Sequence, residues 1–514
     1  MWIATREHSR ELDRRATAEY GIPARVLMER AGLAVFEAVR DLLPKGGRIT
    51  VLCGKGNNGG DGFVVARLAK EHGYQVECLV AASQDKLTPE ADEQMRVAKA
   101  QGVDPAFCGD ARYGPKLESI GSRDLLIDAL LGTGTDGAVE GAVRDAIQAI
   151  NRSGVPTVSV DIPSGIECDT GEELGDSVWA LRTVTFGLPK PFLFEGVGLE
   201  HSGFWTVADI GFPTALLNEP TEARLIDGKW VADFLPERLR GSHKGQNGTV
   251  LIVAGSSGMP GAASLAVRSA LRAGAGLITV AGIRTVCEAV AANVPEAILF
   301  PLPETAEGTI DPAAAEMLLE RQSRYQGALF GPGLTHGDPV LELLERTWKD
   351  WNVPSVIDAD ALNSVSRGVH LPPGGCVLTP HPGEMSRMLE RSIAEIQADR
   401  LLTVKHAVER FQKTILLKGP YSIVGEPGQP MLVNSTGNPG MASGGMGDVL
   451  SGTIVTLLAQ EVPPYQAASC GMYWHGLAGD ICANDIGTIG YTASEVADAL
   501  PKARATITSR CERE

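Results

Sequence analysis

Long apolar runs are missing from this 514-residue sequence. No stretch reaches the ~18 uninterrupted apolar residues that a membrane-spanning helix needs, so no membrane partner is expected. The opening segment MWIATREHSRELDRR is charged where a secretory leader would be apolar, which predicts a cytoplasmic chain. Positive charge is scarce: 46 Lys and Arg against 63 Asp and Glu leave a net charge of −17. So acidic a chain repels phosphate-rich polymers, which removes nucleic acid from the partners and leaves any anionic ligand to be held locally by backbone N–H groups and a few placed cations. Cysteine pairing is absent as well. The nine cysteines, at positions 53, 78, 108, 168, 287, 376, 470, 482 and 511, include no C-x-x-C and have an odd total, the pattern of reduced thiols rather than of a disulfide framework.

What is present is alternation. With 60 glycines and 44% apolar residues, the chain is too long for one hydrophobic core and suits two α/β domains. From residue 49 to 210, β-type runs (ITVLC, QVECLVA, DLLIDALL, TVSVDIPS, TVTFG, FWTVADIG) alternate with helical patterns, which predicts a parallel sheet covered on both faces. One helical segment, SRELDRRATAEYGIPARVLMERAGLAVFEAVRDLL, precedes them. The stretch GFPTALLNEPTEARLIDGKWVADFLPERLRGSHKG has prolines, charges and weak periodicity, so the boundary is set at residues 214–224, between domains 1–215 and 224–508. A second series follows with strands at TVLIVAG, LITVA, AILFPL, GALFGPG, PSVIDAD, CVLTP and TILLKG. Helices are expected at GAASLAVRSALRAGAG and SIAEIQADRLLTVKHAVERFQ, and from GMGDVLSGTIVTLLAQ onward.

The segment TVLCGKGNNGGDGFVVAR places Gly54, Gly56 and Gly59 in the G-x-G-x-x-G spacing of a dinucleotide-binding turn. The acidic residue that would hold a ribose at the end of the second strand is missing, because Glu77 lies near that strand's beginning. A phosphate-binding P-loop fails too, with Gly60 and Asp61 standing where Lys and Ser or Thr belong. What remains is a polar turn that can cradle a phosphate or coordinate a cation. Two more strand ends in the same domain carry Asp128, Asp161 and Ser164, and in a parallel sheet all carboxyl ends open on one edge. Asn58, Asp128 and Ser164 would there form an oxygen set suited to a hard cation, with Asp161 available as a general base.

The texts LMERAG, GKGNNGGDG, DALLGTG, DIPSG and TFGLPKP together resemble the N-terminal domain of the YjeF family, the NAD(P)H-hydrate epimerases, over residues 1–215. The resemblance implies a Rossmann-like three-layer domain. It also implies that Asn57, Asn58, Gly59, Gly60, Asp61, Gly132, Thr133, Gly134, Thr135, Asp136, Gly137, Ala138 and Asp161 contact the damaged nicotinamide nucleotide, and that Asn58, Asp128 and Ser164 hold potassium. Lys55 departs from the Pro of many relatives.

Far downstream, NSTGNPGMASGGMGDVLSGTIVTLLAQ sets Gly444, Gly445 and Gly447 before Asp448 and an apolar helix. Backbone N–H groups at such a helix start stabilise charge on a phosphoryl group in transfer, while the Asp takes a proton from the attacking hydroxyl. This arrangement resembles the ribokinase-like superfamily. The further texts SHKGQNGTVLIVAGSSGMPGAASLAVRSALRAGAGLITVA, GPGL, DADAL, LTPHPGEM and LLKGPYSIV, across about residues 225–505, are similar to the ADP- or ATP-dependent NAD(P)H-hydrate dehydratases. The similarity implies that Lys418, Gly419, Pro420, Tyr421, Ser422 and Gly447 hold the adenine nucleotide and that Ala262, Gly333, His381 and Asp448 contact substrate. Met446 stands where relatives have Thr or Ser.

Together the resemblances imply repair of NADHX and NADPHX. One domain would interconvert the epimers through Asp161, and the other would dehydrate the S epimer through Asp448. ADP or ATP would be the co-substrate, with potassium and magnesium as ions, in a homo-oligomer. The rival readings are a ribokinase-like small-molecule kinase, which would release a stable phosphate ester, and a non-catalytic N-terminal binding or assembly module.

Overall fold

The computed structural model describes residues 1–135 and 137–511, so Asp136 lies outside the described residues. The chain divides into two compact units, Met1–Glu222 and Ala223–Glu514. Among the described residues no helix is long and apolar enough to cross a membrane, and eight cysteines are free thiols.

In the first unit seven parallel strands, β1 (Arg48–Cys53), β2 (Gln75–Val80), β3 (Pro105–Phe107), β4 (Leu125–Ala129), β5 (Thr157–Val160), β6 (Arg182–Phe186) and β7 (Phe204–Ala208), take the order 3-2-1-4-5-6-7. Side chains alternate between two buried layers. Ile49, Val51 and Cys53 of β1 pack against Phe36, Phe63 and Met95 of covering helices, whereas Leu52 points into a layer with Ala146, Ile147 and Ile150. Burial on both faces is why these strands read as nearly unbroken apolar runs. The chain reverses direction across the sheet between β1 and β4, the place where ligands bind in open parallel sheets.

The glycine-rich segment is not a loop. The helix Asn57–Glu71 begins at Asn57, so Asn57, Asn58, Gly59, Gly60 and Asp61 form its first turn. Its glycines answer a packing demand. A Cβ at Gly54 would overlap the carbonyl oxygen of Leu130, and one at Gly59 the carbonyl oxygen of Gly54. The helix start is thereby pressed onto the ends of β1 and β4. Ion pairs hold Glu77 to Lys116 and Arg123, which removes it as a ribose partner.

Two segments read as single helices are broken. The first splits into Arg6–Ala18 and Ala24–Leu42, because Gly21 turns left-handed at φ 67° and Pro23 follows. The other splits into Ile393–Ala398 and Arg400–Phe411 at Asp399, whose side chain caps the second helix by accepting from Leu402 N–H at 2.8 Å.

The second unit holds ten strands: β8 (Ala223–Leu225), β9 (Thr249–Val253), β10 (Leu277–Gly282), β11 (Ile298–Pro301), β12 (Gly327–Phe330), β13 (Ser355–Ile357), β14 (Cys376–Leu378), β15 (Thr414–Leu417), β16 (Ile423–Gly425) and β17 (Met431–Val433), in the order 11-10-9-12-13-14-15-16-17-8. Only β15–β16 and β16–β17 run antiparallel. β3, β8, β16 and β17, three residues each, are too short to show a period by themselves and escape the sequence reading, whereas the equally short β13 and β14 are read within PSVIDAD and CVLTP, which run on into the motifs DADAL and LTPHPGEM. β8, inside the weakly periodic stretch, is an edge strand parallel to β17. The helices Pro260–Ala273, Met446–Ala459 and Ala493–Cys511 pack together, the first two against the sheet.

Gly54→Ala is expected to destabilise the N-terminal unit by about 1–3 kcal/mol through backbone overlap. A lowered urea midpoint for that unit checks this; an unchanged midpoint would show that the β1–β4 junction can relax.

Candidate active sites

A cavity of about 740 Å³ opens in the first unit against the ends of β4 and β5 and the first turn after β1. Asn57, Asn58, Asp61, Gly132, Thr133, Gly134, Thr135 and Asp161 line it. Gly59 and Gly60 lie behind it, Gly59 against Gly54 and Gly60 against Met28, and Gly137 and Ala138 are not among its walls. Lys55, exposed, is at its edge.

Asp161 follows β5 in the left-handed region, at φ 66°, a conformation that side chains adopt at a cost and that turns its carboxyl into the cavity wall. Its Oδ1 accepts from Lys190 Nζ at 2.8 Å, Thr185 Oγ1 at 3.0 Å and Phe186 N–H at 3.3 Å. Oδ2 takes no hydrogen bond among the described residues, which leaves one oxygen for a ligand. Lys190 is buried and also donates to Thr185 Oγ1 at 2.7 Å and to the Phe186 and Leu188 carbonyls. Asp13 shares the cavity. Water reaches it there, yet the surrounding protein, helped by the charge of Asp161, pushes it up to about 6.

The three oxygen ligands expected of a cation come together unevenly. Asn58 Nδ2 donates to the Leu131 carbonyl at 2.6 Å, while its Oδ1 is buried without a partner. A buried acceptor of this kind normally takes a water or an ion. Ser164 Oγ accepts from Leu131 N–H at 2.9 Å and donates to Asp128 Oδ1 at 2.5 Å. Asp128 itself is fully buried and takes four donors, adding Ser164 N–H at 2.8 Å, Ser159 Oγ at 2.8 Å and Leu130 N–H at 3.3 Å. A carboxylate offers about four lone-pair positions, so Asp128 orients Ser164 and has none to spare. Burial pushes its carboxyl up against those hydrogen bonds.

In the second unit the helix Met446–Ala459 is capped by Gly445 at φ 88°, where a Cβ would press on Leu265. Its first helical hydrogen bond runs from Val449 N–H to the Gly445 carbonyl at 3.2 Å. The N–H groups of Met446, Gly447 and Asp448 precede it and stay available for an anion. Met446 turns its side chain inward and is buried.

Beside Asp448 stand the carboxyl ends of β13 and β15. Lys418 Nζ meets Asp358 Oδ1 at 2.7 Å and Glu384 Oε2 at 3.6 Å, and Ser451 Oγ donates to Asp358 Oδ2 at 2.6 Å. Burial opposes both charges of the Lys418–Asp358 pair, but each partner outweighs it, holding Asp358 low and Lys418 high. Burial pushes Asp448 up to about 7, Asp358 adding to the rise and Lys418 opposing it.

The expected nucleotide segment, Lys418 to Ser422, spans the β15–β16 turn. Its main chain is braced by Arg400, buried, which donates to the Pro420 and Lys418 carbonyls, and by Ser422 Oγ on the Gly419 carbonyl at 3.0 Å. Tyr421 sits left-handed at φ 47°. Ala262 and Gly333 meet each other, a Cβ on Gly333 lying 3.4 Å from that of Ala262. His381 caps the helix Pro382–Leu389, its Nδ1 accepting from Gly383 N–H at 2.9 Å while its backbone N–H donates to Glu384 at 2.7 Å. The ring is half exposed, and the protein on its inner side, then Lys418, lowers the imidazole, so it serves as a neutral cap.

Residues 250–502 match the family described as NAD(P)H-hydrate dehydratase, and residues 24–192 the YjeF-related protein N-terminus. A bifunctional NAD(P)H-hydrate repair enzyme of Moorella thermoacetica is 39% identical over 98% of this chain and 96% of its own. One from Escherichia coli is 36% identical over 98% and 93%. The chain belongs to the bifunctional NAD(P)H-hydrate repair enzymes. A solved ADP/ATP-dependent NAD(P)H-hydrate dehydratase of Bacillus subtilis is 30% identical, spanning 55% of this chain and 98% of its own at a TM-score of 0.49.

For this repair enzyme, sequence reasoning passed over Lys190, Asp13, Asp358, Glu384, Arg400 and Ser451. Lys190, Asp358 and Glu384 lie inside quoted motifs, TFGLPKP, DADAL and LTPHPGEM, but nothing in a one-dimensional pattern pairs Lys190 with Asp161 or Lys418 with Asp358.

Carboxyl titration of isotopically labelled Asp448, followed by NMR, is expected to give a midpoint near 7. Asp358→Asn removes a neighbouring negative charge and moves the midpoint down, whereas Lys418→Met removes a positive one and moves it up; shifts in the same direction would contradict the assigned field.

Proposed function

We propose that the N-terminal unit interconverts the R and S epimers of NAD(P)H hydrate and that the C-terminal unit dehydrates the S epimer at the expense of ADP, giving AMP and phosphate. The observation that carries the reading is the corner at Asp448: a carboxyl that titrates near neutrality, open N–H groups at Met446 and Gly447, and a buried Lys418–Asp358 pair alongside.

In the hydrate a hydroxyl sits on C6, next to the ring nitrogen, and hydroxide is a poor leaving group. Asp448 takes the proton of that hydroxyl, and the oxygen attacks the terminal phosphoryl of the nucleotide. AMP departs while the helix-start N–H groups meet the charge that builds on the phosphoryl oxygens. The nitrogen lone pair then expels phosphate, and loss of the C5 proton restores the C5–C6 double bond. Lys418 draws Asp448 back toward the ionised state that base chemistry needs. The braced Lys418–Ser422 main chain would hold the nucleotide.

Among the described residues no group of three His, Cys, Asp or Glu could hold a metal. Magnesium would arrive on the nucleotide phosphates, with the Asp448 carboxylate as the protein oxygen beside it, and would neutralise phosphoryl charge. Potassium fits the first unit, because Asn58 Oδ1 is an unmet buried acceptor and the Leu131 carbonyl, which takes Asn58 Nδ2 and lies 3.4 Å from Ser164 Oγ, brings further oxygens to the same corner. It would supply a weak, fixed positive charge beside the nucleotide. Asp161, its Oδ1 locked by Lys190 and its Oδ2 open, is the base of epimerisation.

Asp448→Asn is expected to abolish nucleotide-dependent recovery of reduced-nicotinamide absorbance and to leave epimer exchange at the wild-type rate. Asp161→Asn should do the reverse, sparing dehydration of the S epimer. Loss of both activities in either variant would sink the assignment of two separate sites, and a stable phosphate ester in place of free phosphate would favour a kinase.

A further inference from the structure

The cavity of the first unit holds a carboxyl that the mechanism above leaves without a task. Asp61 is 9% exposed, lines the cavity and has no hydrogen bond or ion pair among the described residues. As the fifth residue of its helix it stands past the cap positions, so its carboxyl does not serve the helix start and faces the cavity without a protein partner. We propose that Asp61 is a second catalytic residue of epimerisation, giving a proton to the C6 hydroxyl while Asp161 receives one from the water that replaces it. This rests on the reading of the cavity as the epimerase site.

The charges around Asp61 suit a proton donor. Arg10 and Asp13 face the cavity from the helix Arg6–Ala18, Lys55 from the segment after β1, Asp161 and Lys190 from beyond β5 and β6, and Cys53 lies behind. Lys190 is committed to Asp161, and Arg10 and Lys55 are exposed. Burial first, then the charges of Asp161 and Asp13, hold Asp61 well above the usual carboxylate range, which favours the protonated form that a donor needs. Asp161 keeps one oxygen free and a lysine at the other, the arrangement of an acceptor.

The step balances without any oxidant or cofactor. As Asp61 protonates the hydroxyl, the C6–O bond breaks and water leaves with the bonding pair, while the nitrogen lone pair forms N1=C6. C6 is now flat. Water adds to the opposite face, the π pair returns to nitrogen, and the surplus proton passes to Asp161. Asp61 ends ionised and Asp161 protonated, which is the pair required for the return reaction. Opening of the N1–C6 bond, with the oxygen retained as an aldehyde, is the competing route.

The full-length protein with potassium, one purified epimer of NADHX and heavy-oxygen water, sampled early by mass spectrometry, separates the two. The inference expects a labelled oxygen in the newly formed epimer; unlabelled product overturns it. Asp61→Asn is expected to lower kcat for epimer exchange at least ~100-fold with KM nearly unchanged, and Asp61→Glu to restore part of it. Wild-type kcat in a folded Asp61→Asn protein would also overturn it. Asp13→Asn removes a negative charge beside the donor and should shift the alkaline limb of the pH profile to lower pH. If wild-type protein fails to interconvert the epimers at all, the epimerase reading fails, a result distinct from unlabelled exchange.

Discussion

Each unit of this repair enzyme is organised around a buried lysine paired with an aspartate at the carboxyl end of a parallel strand. Lys190 meets Asp161 past β5, and Lys418 meets Asp358 past β13. Neither charge could be kept so far from water alone, since removing one partner would leave the other uncompensated at a cost of about 3–5 kcal/mol. Each pair therefore sets the position of the other polar groups near it. Burial first, and then the negative charge of the paired aspartate, raises a nearby carboxyl: Asp61 well above the usual carboxylate range, and Asp448 to about 7 with Lys418 opposing the rise. In the proposed chemistry the two sites differ in which form is used: a held proton in the first, an available base in the second.

The ends of parallel strands make this possible because the sheet itself is dry. Apolar side chains fill both faces of β1, β2 and β4, and polar residues collect where the strands stop. In the first unit the helix after β1 is pressed so closely against the end of β4 that glycine is required at positions 54 and 59. That contact brings Asn58 within 2.6 Å of the Leu131 carbonyl and aligns Asp61 with the cavity. The G-x-G-x-x-G spacing thus serves the same close helix–strand approach as in dinucleotide-binding turns, while the ion-paired Glu77 leaves no ribose partner.

Backbone strain is spent at the same places. Asp161 lies at φ 66°, and Ala359, between Asp358 and Asp360, at φ 49°. Asp161 follows β5 directly and Ala359 comes two residues past β13, and both let the chain turn sharply so that neighbouring residues serve different partners. Asp358 goes to Lys418 and Ser451, whereas Asp360 accepts from Thr335 N–H at 2.9 Å. Tertiary packing on all sides keeps such conformations in place.

Much was legible beforehand. The central strands showed themselves as apolar runs because they are buried on both faces, and the chemistry-bearing residues Asn58, Asp61, Asp161, Lys418 and Asp448 stood in recognisable motifs. β16 and β17 are three residues each, too short to show a period by themselves, and β8 lies amid prolines and charges, so the edge of the second sheet stayed hidden. The breaks at Gly21 and Asp399 left the helical pattern too nearly intact to be noticed. Local order of residues therefore determined the α/β class, the two-unit division of labour and the candidate acids and bases, since burial period and turn chemistry are short-range properties. Only the folded chain decided which lysine neutralises which carboxylate, that Asp128 is saturated by four donors, and that Asp61 stays unpaired, because each depends on atoms brought together from distant positions in the sequence.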